Sequence, residues 1–372
     1  MRTRSAVNAL FLFSILFPGC SKSGDHKPSA RYGEVEIVIS DIPFRSEQNL
    51  RIPYTLKMWE FMKDGLTMQQ IIILDDDSKS VLLTLNKADL PFLYKAPLPV
   101  NPYIQFDNID SYYLSVQLPV PLVQSPPLKI SHRFLFNDTI QNKEVTIEGG
   151  VFTPRINEFP IAISSPVKGS HLLFYNQSTD GYHFHRLFFI NGELKTAERF
   201  AFDNSEVNKK MDNFYEGDPA VNTSYFSYRD TLYAVSDGIV VAIQDTLPEN
   251  NGNTHNLTFS TLIELCGNFI ILDIGGGRYA SYAHCVPHSC FVQAGDTVKE
   301  GDPVALLGNS GNSDAPHLHF QIGDSPDFFF CNGIPFVLKK FTKIGELQNP
   351  GGITPTEYTN SMMNWYTVFW VD

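Results

Sequence analysis

The sequence predicts an all-β protein with two domains, and three observations support this. The chain has 372 residues, and roughly 150 residues per domain gives two domains, each able to enclose a core. Phe and Tyr are abundant (29 and 16), and such residues favour strands. Gly and Pro (25 and 24) are spread along the chain, as expected for turns between many short strands.

Residues 31–150 predict an N-terminal β-sandwich domain. Its apolar or alternating runs include V-E-I-V-I, S-V-L-L-T-L, Y-Y-L-S-V-Q-L and L-K-I-S-H-R-F-L-F. Turn-rich clusters such as D-D-D-S-K and P-L-P-V-N-P separate these runs. The segment T-L-K-M-W-E-F-M-K-D-G also fits a helix, but its flanks favour a strand. No chemical constellation occurs here, so the domain reads as a spacer or binding module.

A second β domain is predicted over residues 165–340. The stretch Glu148 to Lys168, with G-G-V-F-T-P and S-S-P-V-K-G, marks the boundary before it. Strand-like runs follow, among them L-Y-A-V-S-D-G-I-V-V-A-I, N-F-I-I-L-D-I and P-V-A-L-L-G. Residues 345–372 carry no motif and are expected to form a C-terminal tail.

The N-terminus predicts export. M-R-T-R is a basic start, A-L-F-L-F-S-I-L-F is an apolar stretch of signal-peptide length, and F-P-G-C ends at Cys20. Residues 1–20 resemble a bacterial lipoprotein signal, which implies lipidation at Cys20. An ordinary cleaved secretory signal is the alternative. We therefore expect a protein of the bacterial cell envelope, on its periplasmic face, that meets the membrane through this lipid anchor.

Charge and cysteine content narrow the functional classes. The net charge is −12 without a block of Lys or Arg, whereas a nucleic-acid partner requires a basic footprint. Nucleic-acid binding is therefore excluded.

The even set of remaining cysteines favours disulfides in an exported chain, and the sequence does not choose among the pairings. These cysteines are Cys266, Cys285, Cys290 and Cys331.

Three segments of the second domain carry chemistry. The first is R-F-A-F-D, which ends at Asp203, and the second is S-Y-A-H, which ends at His284. The third is A-P-H-L-H-F, in which His317 and His319 lie two residues apart. Residues i and i+2 of a strand point to the same face, so both imidazoles are expected to reach one spot.

In this order, the segments resemble the lysostaphin-like (LytM-type) zinc endopeptidases, which cut peptidoglycan peptides. The resemblance spans about residues 180–325 and includes G-D-T-V-K-E-G-D-P-V-A-L-L-G-N-S-G. That last segment is also similar to lipoyl and biotinyl carrier domains, but those lack the S-Y-A-H and P-H-L-H-F segments. The resemblance implies a duplicated hybrid motif fold, a barrel-sandwich hybrid with an open groove.

The resemblance also implies residue roles. Asp203 and His319 become zinc ligands, and His284 and His317 become the catalytic pair. This division suits a catalytic zinc, which takes three protein ligands and leaves one position open for water. Tyr282 lies two residues before His284, and alternation predicts that it faces the same site and helps to hold an oxyanion.

One ligand of that pattern is missing. The family places a His four residues before the Asp, where this chain has Arg199, and a guanidinium has no lone pair for zinc. His183 and His185 precede a predicted hairpin turn at Asn191-Gly192. His183 is our preferred replacement, because a variant branch of the family with R-F-A-x-D carries a His near there. A strict two-residue turn argues against this choice, since it places His183 on the face opposite Asp203.

The missing ligand leaves two alternatives open. Zinc could be held by Asp203 and His319 alone, with Arg199 clamping a substrate carboxylate. Alternatively, the domain has lost metal and activity and binds peptidoglycan or regulates a cell-wall hydrolase. The retained triplet of histidines favours a zinc metalloendopeptidase. His255, in the polar insertion P-E-N-N-G-N-T-H-N, is expected to be solvated or to lie in a rim loop.

Overall fold

A computed structural model describes most of the chain. The described residues are 35–59, 65–90, 94–95, 111–175, 183–190, 193–349, 353–364 and 366–372. The expected signal peptide at residues 1–20, with its lipidation site Cys20, lies outside them. Within the described residues, no helix has the length and apolar character that crossing a membrane requires.

The N-terminal domain consists of two antiparallel sheets. One sheet has the order β1-β3-β7-β6 with β2 also paired to β3, and the other has the order β5-β4-β8-β9. The strands are β1 Val35–Ser40, β2 Phe44–Ser46, β3 Asn49–Trp59, β4 Leu66–Asp75, β5 Val81–Asn86, β6 Tyr94–Lys95, β7 Ser111–Pro121, β8 Ile130–Asp138 and β9 Lys143–Phe152.

Alternation along these strands builds the core of the sandwich. Ile52, Tyr54, Leu56 and Met58 of β3 point inward and share one buried cluster with side chains from β4, β7 and β8. The segment that also fitted a helix forms part of β3 as far as its described residues reach. The sandwich predicted for this part of the chain is therefore the observed architecture.

The second domain contains the remaining elements. Its strands are β10 Ile161–Ile163, β11 Gly169–Tyr175, β12 Phe188–Ile190, β13 Glu193–Lys195, β14 Phe202–Glu206, β15 Thr231–Tyr233, β16 Gly238–Gln244, β17 Asn268–Asp273, β18 Tyr279–Cys285, β19 Thr297–Val298, β20 Pro303–Leu306, β21 Leu318–Gly323, β22 Phe336–Glu346, β23 Thr356–Ser361 and β24 Thr367–Val371. Its short 3₁₀ helices are His183–His185, Asn222–Ser224 and Ile263–Cys266.

One large sheet dominates this domain. Its order is β10-β22-β24-β11-β14-β21-β18-β17-β16-β19, with β23 paired to β22, while β12-β13 and β15-β20 form two small sheets. Strands β14, β21 and β18 are neighbours, and Asp203, His319 and His284 lie on them in that order. The all-β fold class predicted from the sequence is thus confirmed.

The expected C-terminal tail is wrong. Strand β24 lies inside the large sheet, between β22 and β11, and Val368 and Phe369 are fully buried. The run T-V-F-W-V of β24 carried this signal, because β-branched and aromatic residues favour strands. The domain also begins before residue 165, since β10 pairs with β22.

The expected disulfides are absent among the described residues. Cys266, Cys285, Cys290 and Cys331 are all free thiols. Cys285 is fully buried in the main core cluster, where its thiol donates weakly to the carbonyl of Tyr282. It therefore packs as a small apolar side chain.

Contacts between the described residues of the two domains include two regions with buried polar groups. In one region, Lys343 of β22 bonds Glu47, which follows β2, and the backbone N–H of Met362 donates to the carbonyl of Arg45. In the other region, a turn that precedes β14 inserts Arg199 between the domains. The N-terminal sandwich therefore reaches the edge of the candidate site.

Candidate metal centre

Strand β21 presents alternate residues to two different environments. Leu318, Phe320 and Ile322 enter the main core, whereas His319 and Gln321 point to the other face. Asp203 of β14 pairs directly with His319 of β21, so register alone brings the two side chains together. Alternation along β21 therefore turns His319 away from the core, and His317, which immediately precedes this strand, lines the same groove.

Strand β18 departs from simple alternation at its end. Tyr282 is fully buried in the main core, and its hydroxyl accepts a hydrogen bond from the backbone N–H of Val235. His284 adopts a left-handed backbone conformation with φ of 66°. This conformation breaks the two-residue repeat, so His284 lines the groove with His317 while Tyr282 faces away. The oxyanion role expected for Tyr282 is therefore wrong.

The preferred replacement ligand, His183, reaches the site from a 3₁₀ turn. Ile190 of β12 pairs with Glu193 of β13, as a two-residue connection between the strands requires. This pairing extends back only to Phe188, so it does not include His183. Residues 183–185 then form a 3₁₀ helix, so strand parity does not govern where His183 points. His183 lies close to Asp203 and His319, and His185 does not line the groove.

Three buried side chains converge as a candidate metal site. One ligand atom each from His183, Asp203 and His319 lies within 4.8 Å of the others. Nε2 of His183 is 3.6 Å from Oδ2 of Asp203, and Nδ1 of His319 is 3.1 Å from Oδ1. Two imidazoles and one carboxylate are a donor set that zinc accepts.

The histidines are oriented by acceptors on their second ring nitrogen. Nδ1–H of His183 donates to the carbonyl of Ala201 at 3.4 Å, which leaves Nε2 for the Asp203 side. Nδ1–H of His284 donates to the carbonyl of Ser310 at 2.7 Å, and Nδ1–H of His317 donates to that of Ala315 at 2.8 Å. Carbonyl oxygens only accept, so each tautomer is fixed.

Gln321 fixes the tautomer of His319. The side-chain amide of Gln321 donates to the carbonyl of Phe328 at 2.8 Å, so its oxygen must accept from His319. That oxygen lies 3.2 Å from Nε2 of His319. Nδ1 of His319 is therefore the nitrogen that faces Asp203, as a metal ligand would.

Burial and neighbouring charges set the pKa values in this cluster. Burial lowers the pKa of His183, and burial together with repulsion from His317 and His319 lowers the pKa of His284 well below its usual range. Burial opposes ionisation of Asp203, yet the surrounding histidines hold its pKa well below the usual range. Burial opposes the charged form of His319, but the hydrogen bond to Asp203 and the charge of that carboxylate raise the pKa of His319 overall. The cluster thus surrounds one carboxylate with imidazoles whose pKa values are shifted in opposite directions.

Arg199 lies outside the site that it was expected to serve. Residues 197–200 form a turn, so Arg199 does not share a strand face with Asp203. Its side chain is fully buried, and its Nε donates to Oδ2 of Asp41 at 2.7 Å. The expected substrate-carboxylate clamp at Arg199 is therefore wrong, because no substrate reaches this guanidinium.

The cluster opens into a groove of about 210 Å³. Among the described residues that line it, Arg186 is the one Lys or Arg, and it pairs with the buried Glu198 at 3.0 Å. Nε2 of His255 contacts Oδ1 of Asp314 at the rim, with half of the His255 side chain exposed. Sequence reasoning missed Arg186, Glu198 and Gln321, because their roles depend on contacts between distant segments.

The donor groups fit a zinc ion by their own chemistry. Each imidazole of the set has one nitrogen engaged by an acceptor and the other directed at Asp203. The carboxylate and the two imidazoles are buried and close together, which is costly unless a proton or a cation lies between them. Three protein ligands are also what a catalytic zinc site requires.

Comparison with known proteins finds similar peptidases. The family model described as "Peptidase family M23" matches residues 225–327, which include His284, His317 and His319 but not Asp203. An uncharacterized metalloprotease of Haemophilus influenzae is 40% identical over 55 residues. That match covers 15% of this chain and only 11% of the curated relative.

Similar solved structures include further peptidases. The catalytic domain of lysostaphin from Staphylococcus simulans is 25% identical, with 30% of this chain and 77% of that chain covered, at a TM-score of 0.19. A zinc-containing peptidase from Vibrio cholerae is 10% identical, with 77% and 81% covered, at a TM-score of 0.25. Such low TM-scores add nothing about activity. The family-model match spans the three groove histidines, so residues 225–327 are similar to peptidase family M23.

Proposed function

We propose that this protein is a zinc metalloendopeptidase that hydrolyses peptide bonds in peptidoglycan. The observation that carries the proposal is the buried cluster of His183, Asp203 and His319 beside His284 and His317, at the head of a groove. His183, Asp203 and His319 would hold the metal ion. A bound zinc ion supplies a Lewis acid that lowers the pKa of water toward about 7.

His317 and His284 move the protons. Each keeps its Nδ1–H on a backbone carbonyl, so Nε2 carries the lone pair. Nε2 of His317 lies 3.7 Å from Oδ1 of Asp203, close enough to accept a proton beside the metal ligands. The two rings are 4.7 Å apart, which lets His284 serve the same reacting centre. His317 is the general base, and His284 assists.

Arg186 supplies a feature for substrate recognition. Peptidoglycan stem peptides carry free carboxylates, and a guanidinium in the groove binds such a group well. Arg186 lines the groove next to His183 with 29% of its side chain exposed. In this proposal it takes the carboxylate-binding role expected for Arg199. Export by the N-terminal signal, with a lipid anchor at Cys20, would bring the enzyme to this substrate at the periplasmic face of the envelope.

The test is amine release from purified peptidoglycan by the full-length protein. We expect the native protein to release new amino groups, and His317→Ala to lose most of this activity while keeping its metal. His319→Ala should lose both, because it removes a ligand. His255→Ala is the matched control, since this histidine lies at the rim and should leave the activity unchanged.

Two results would contradict the proposal. The first is native protein with bound zinc that releases no amine from any peptidoglycan preparation. The second is an unchanged rate in His317→Ala. Binding of peptidoglycan without hydrolysis would instead favour the alternative, a degenerate peptidase domain that binds the wall or regulates a hydrolase.

A further inference from the structure

Arg199 is a buried link between the two domains. Its Nε donates to Oδ2 of Asp41 at 2.7 Å, and its Nη1 donates to the hydroxyls of Thr55 and Ser115 at 2.8 and 3.2 Å. All three partners belong to the N-terminal domain, where Thr55 lies on β3 and Ser115 on the neighbouring strand β7. A fully buried guanidinium is stable only with such partners, so the domains are joined at this point.

The same side chain supports the turn that delivers His183. The guanidinium carbon of Arg199 lies 4.5 Å from the centre of the Phe184 ring, in cation–π geometry. Phe184 follows His183 in the 3₁₀ turn and is itself fully buried, with Phe200 packed edge-on against it. Two residues after Arg199, the carbonyl of Ala201 accepts the Nδ1–H of His183. Arg199 is therefore next to both features that hold the His183 imidazole, namely the buried Phe184 ring and the Ala201 carbonyl.

We propose that Arg199 is a positioning residue, which couples metal affinity to the docking of the N-terminal domain by holding the His183 turn. This inference rests on the proposed zinc site. The guanidinium of Arg199 has no lone pair to offer a metal, so its contribution is structural. Arg199 packs under the turn that brings the imidazole of His183 to Asp203. The N-terminal sandwich then helps to position a metal ligand, in addition to any role as a spacer.

The test measures zinc affinity by chelator competition in full-length protein, together with the visible spectrum of the Co²⁺-substituted form. Arg199→Met keeps bulk but loses the charge and every hydrogen bond. We expect its zinc affinity to fall about 10- to 100-fold, as for other residues that orient a ligand. Its Co²⁺ spectrum should shift toward that of His183→Ala. Asp41→Asn should move both readouts in the same direction, by a smaller amount.

Lys343→Met is the matched control. Lys343 is also a buried cation that bridges the domains, through Glu47 at 2.8 Å. Its hydrogen bonds among the described residues reach Glu47 and Glu346, and none reaches the His183 turn. This variant should weaken docking at the other contact region yet keep native zinc affinity and the native Co²⁺ spectrum.

The outcomes separate this inference from the proposed function. Native zinc affinity and spectrum in Arg199→Met would overturn the inference while leaving the zinc site intact. An equal loss in Lys343→Met would also overturn it, because general loosening of the interface would then explain the effect. If Arg199→Met does not fold, Asp41→Asn decides by the same two readouts. Native protein that binds no zinc would instead refute the proposed function, and the inference with it.

Discussion

At the scale of single residues, the orientation of each imidazole decides what the site can do. His319 turns Nδ1 toward Asp203 because Gln321 accepts its Nε2–H. His183, His284 and His317 are oriented in the same way by backbone carbonyls. Metal affinity in such sites depends strongly on these outer hydrogen bonds, because they hold each ring in its binding geometry.

Gln321→Met tests this point. Methionine is of similar size but cannot accept the Nε2–H of His319, so that ring loses its fixed orientation. We expect zinc affinity to fall about 10- to 100-fold. Chelator competition measures the affinity, and thermal unfolding of the metal-free protein reports any loss of fold. Native affinity in a well-folded variant would show that Gln321 does not orient the ligand.

Residue-scale prediction from sequence succeeded where side chains follow a regular strand. His319 and Asp203 face each other because one register sets both. Tyr282 and Arg199 were misplaced for physical reasons. The left-handed conformation of His284 breaks alternation, and the residues around Arg199 turn instead of extending. Neither backbone feature has a signature in the local sequence, since both depend on packing against distant segments.

At the scale of elements, the segment G-N-S-G-N-S between β20 and β21 shapes the groove. It presents the carbonyl of Ser310 to His284 and the hydroxyl of Ser313 to His317. The buried Asn250 amide holds this loop by donating to the carbonyls of Asn309 and Gly311. The hydrogen bonds from Asn250 therefore hold this loop in one position relative to the strands that carry the histidines.

Gly311→Ala should disrupt this loop. Gly311 has a φ of 75°, and an added Cβ would lie 2.3 Å from the backbone nitrogen of Gly267. We expect a stability loss of about 1–3 kcal/mol or more from the backbone strain alone. Peptidoglycan hydrolysis should fall further, because Ser310 and Ser313 must move with the loop. Thermal unfolding and amine release measure the two effects.

Gly275→Ala is the control for that prediction. Gly275 has a similar φ of 81° in the β17-β18 turn, but an added Cβ would meet no atom within 4 Å. Gly275→Ala should lose stability through the same backbone strain, but it should hydrolyse peptidoglycan at the native rate. Equal activity in the two variants would contradict the role assigned to the loop.

At the scale of the whole molecule, composition and alternation were enough to predict two all-β domains. They did not predict how the domains join. The contact through Arg199 brings together residues 158 positions apart in the chain, and the bridge through Lys343 spans 296 positions. Strand β24 likewise completes the large sheet from the far end of the chain. Such long-range pairings leave little trace in local sequence patterns.

The central claim is that His183 supplies the third metal ligand, beside Asp203 and His319. The most direct measurement is the zinc content of purified protein after dialysis, compared among native, His183→Ala and His185→Ala forms. We expect about one zinc per chain in the native protein, as a three-ligand site implies. His185→Ala should keep this content, since that imidazole lies in the same turn but does not line the groove. His183→Ala should lose most of the metal, and full native zinc content in this variant would contradict the claim.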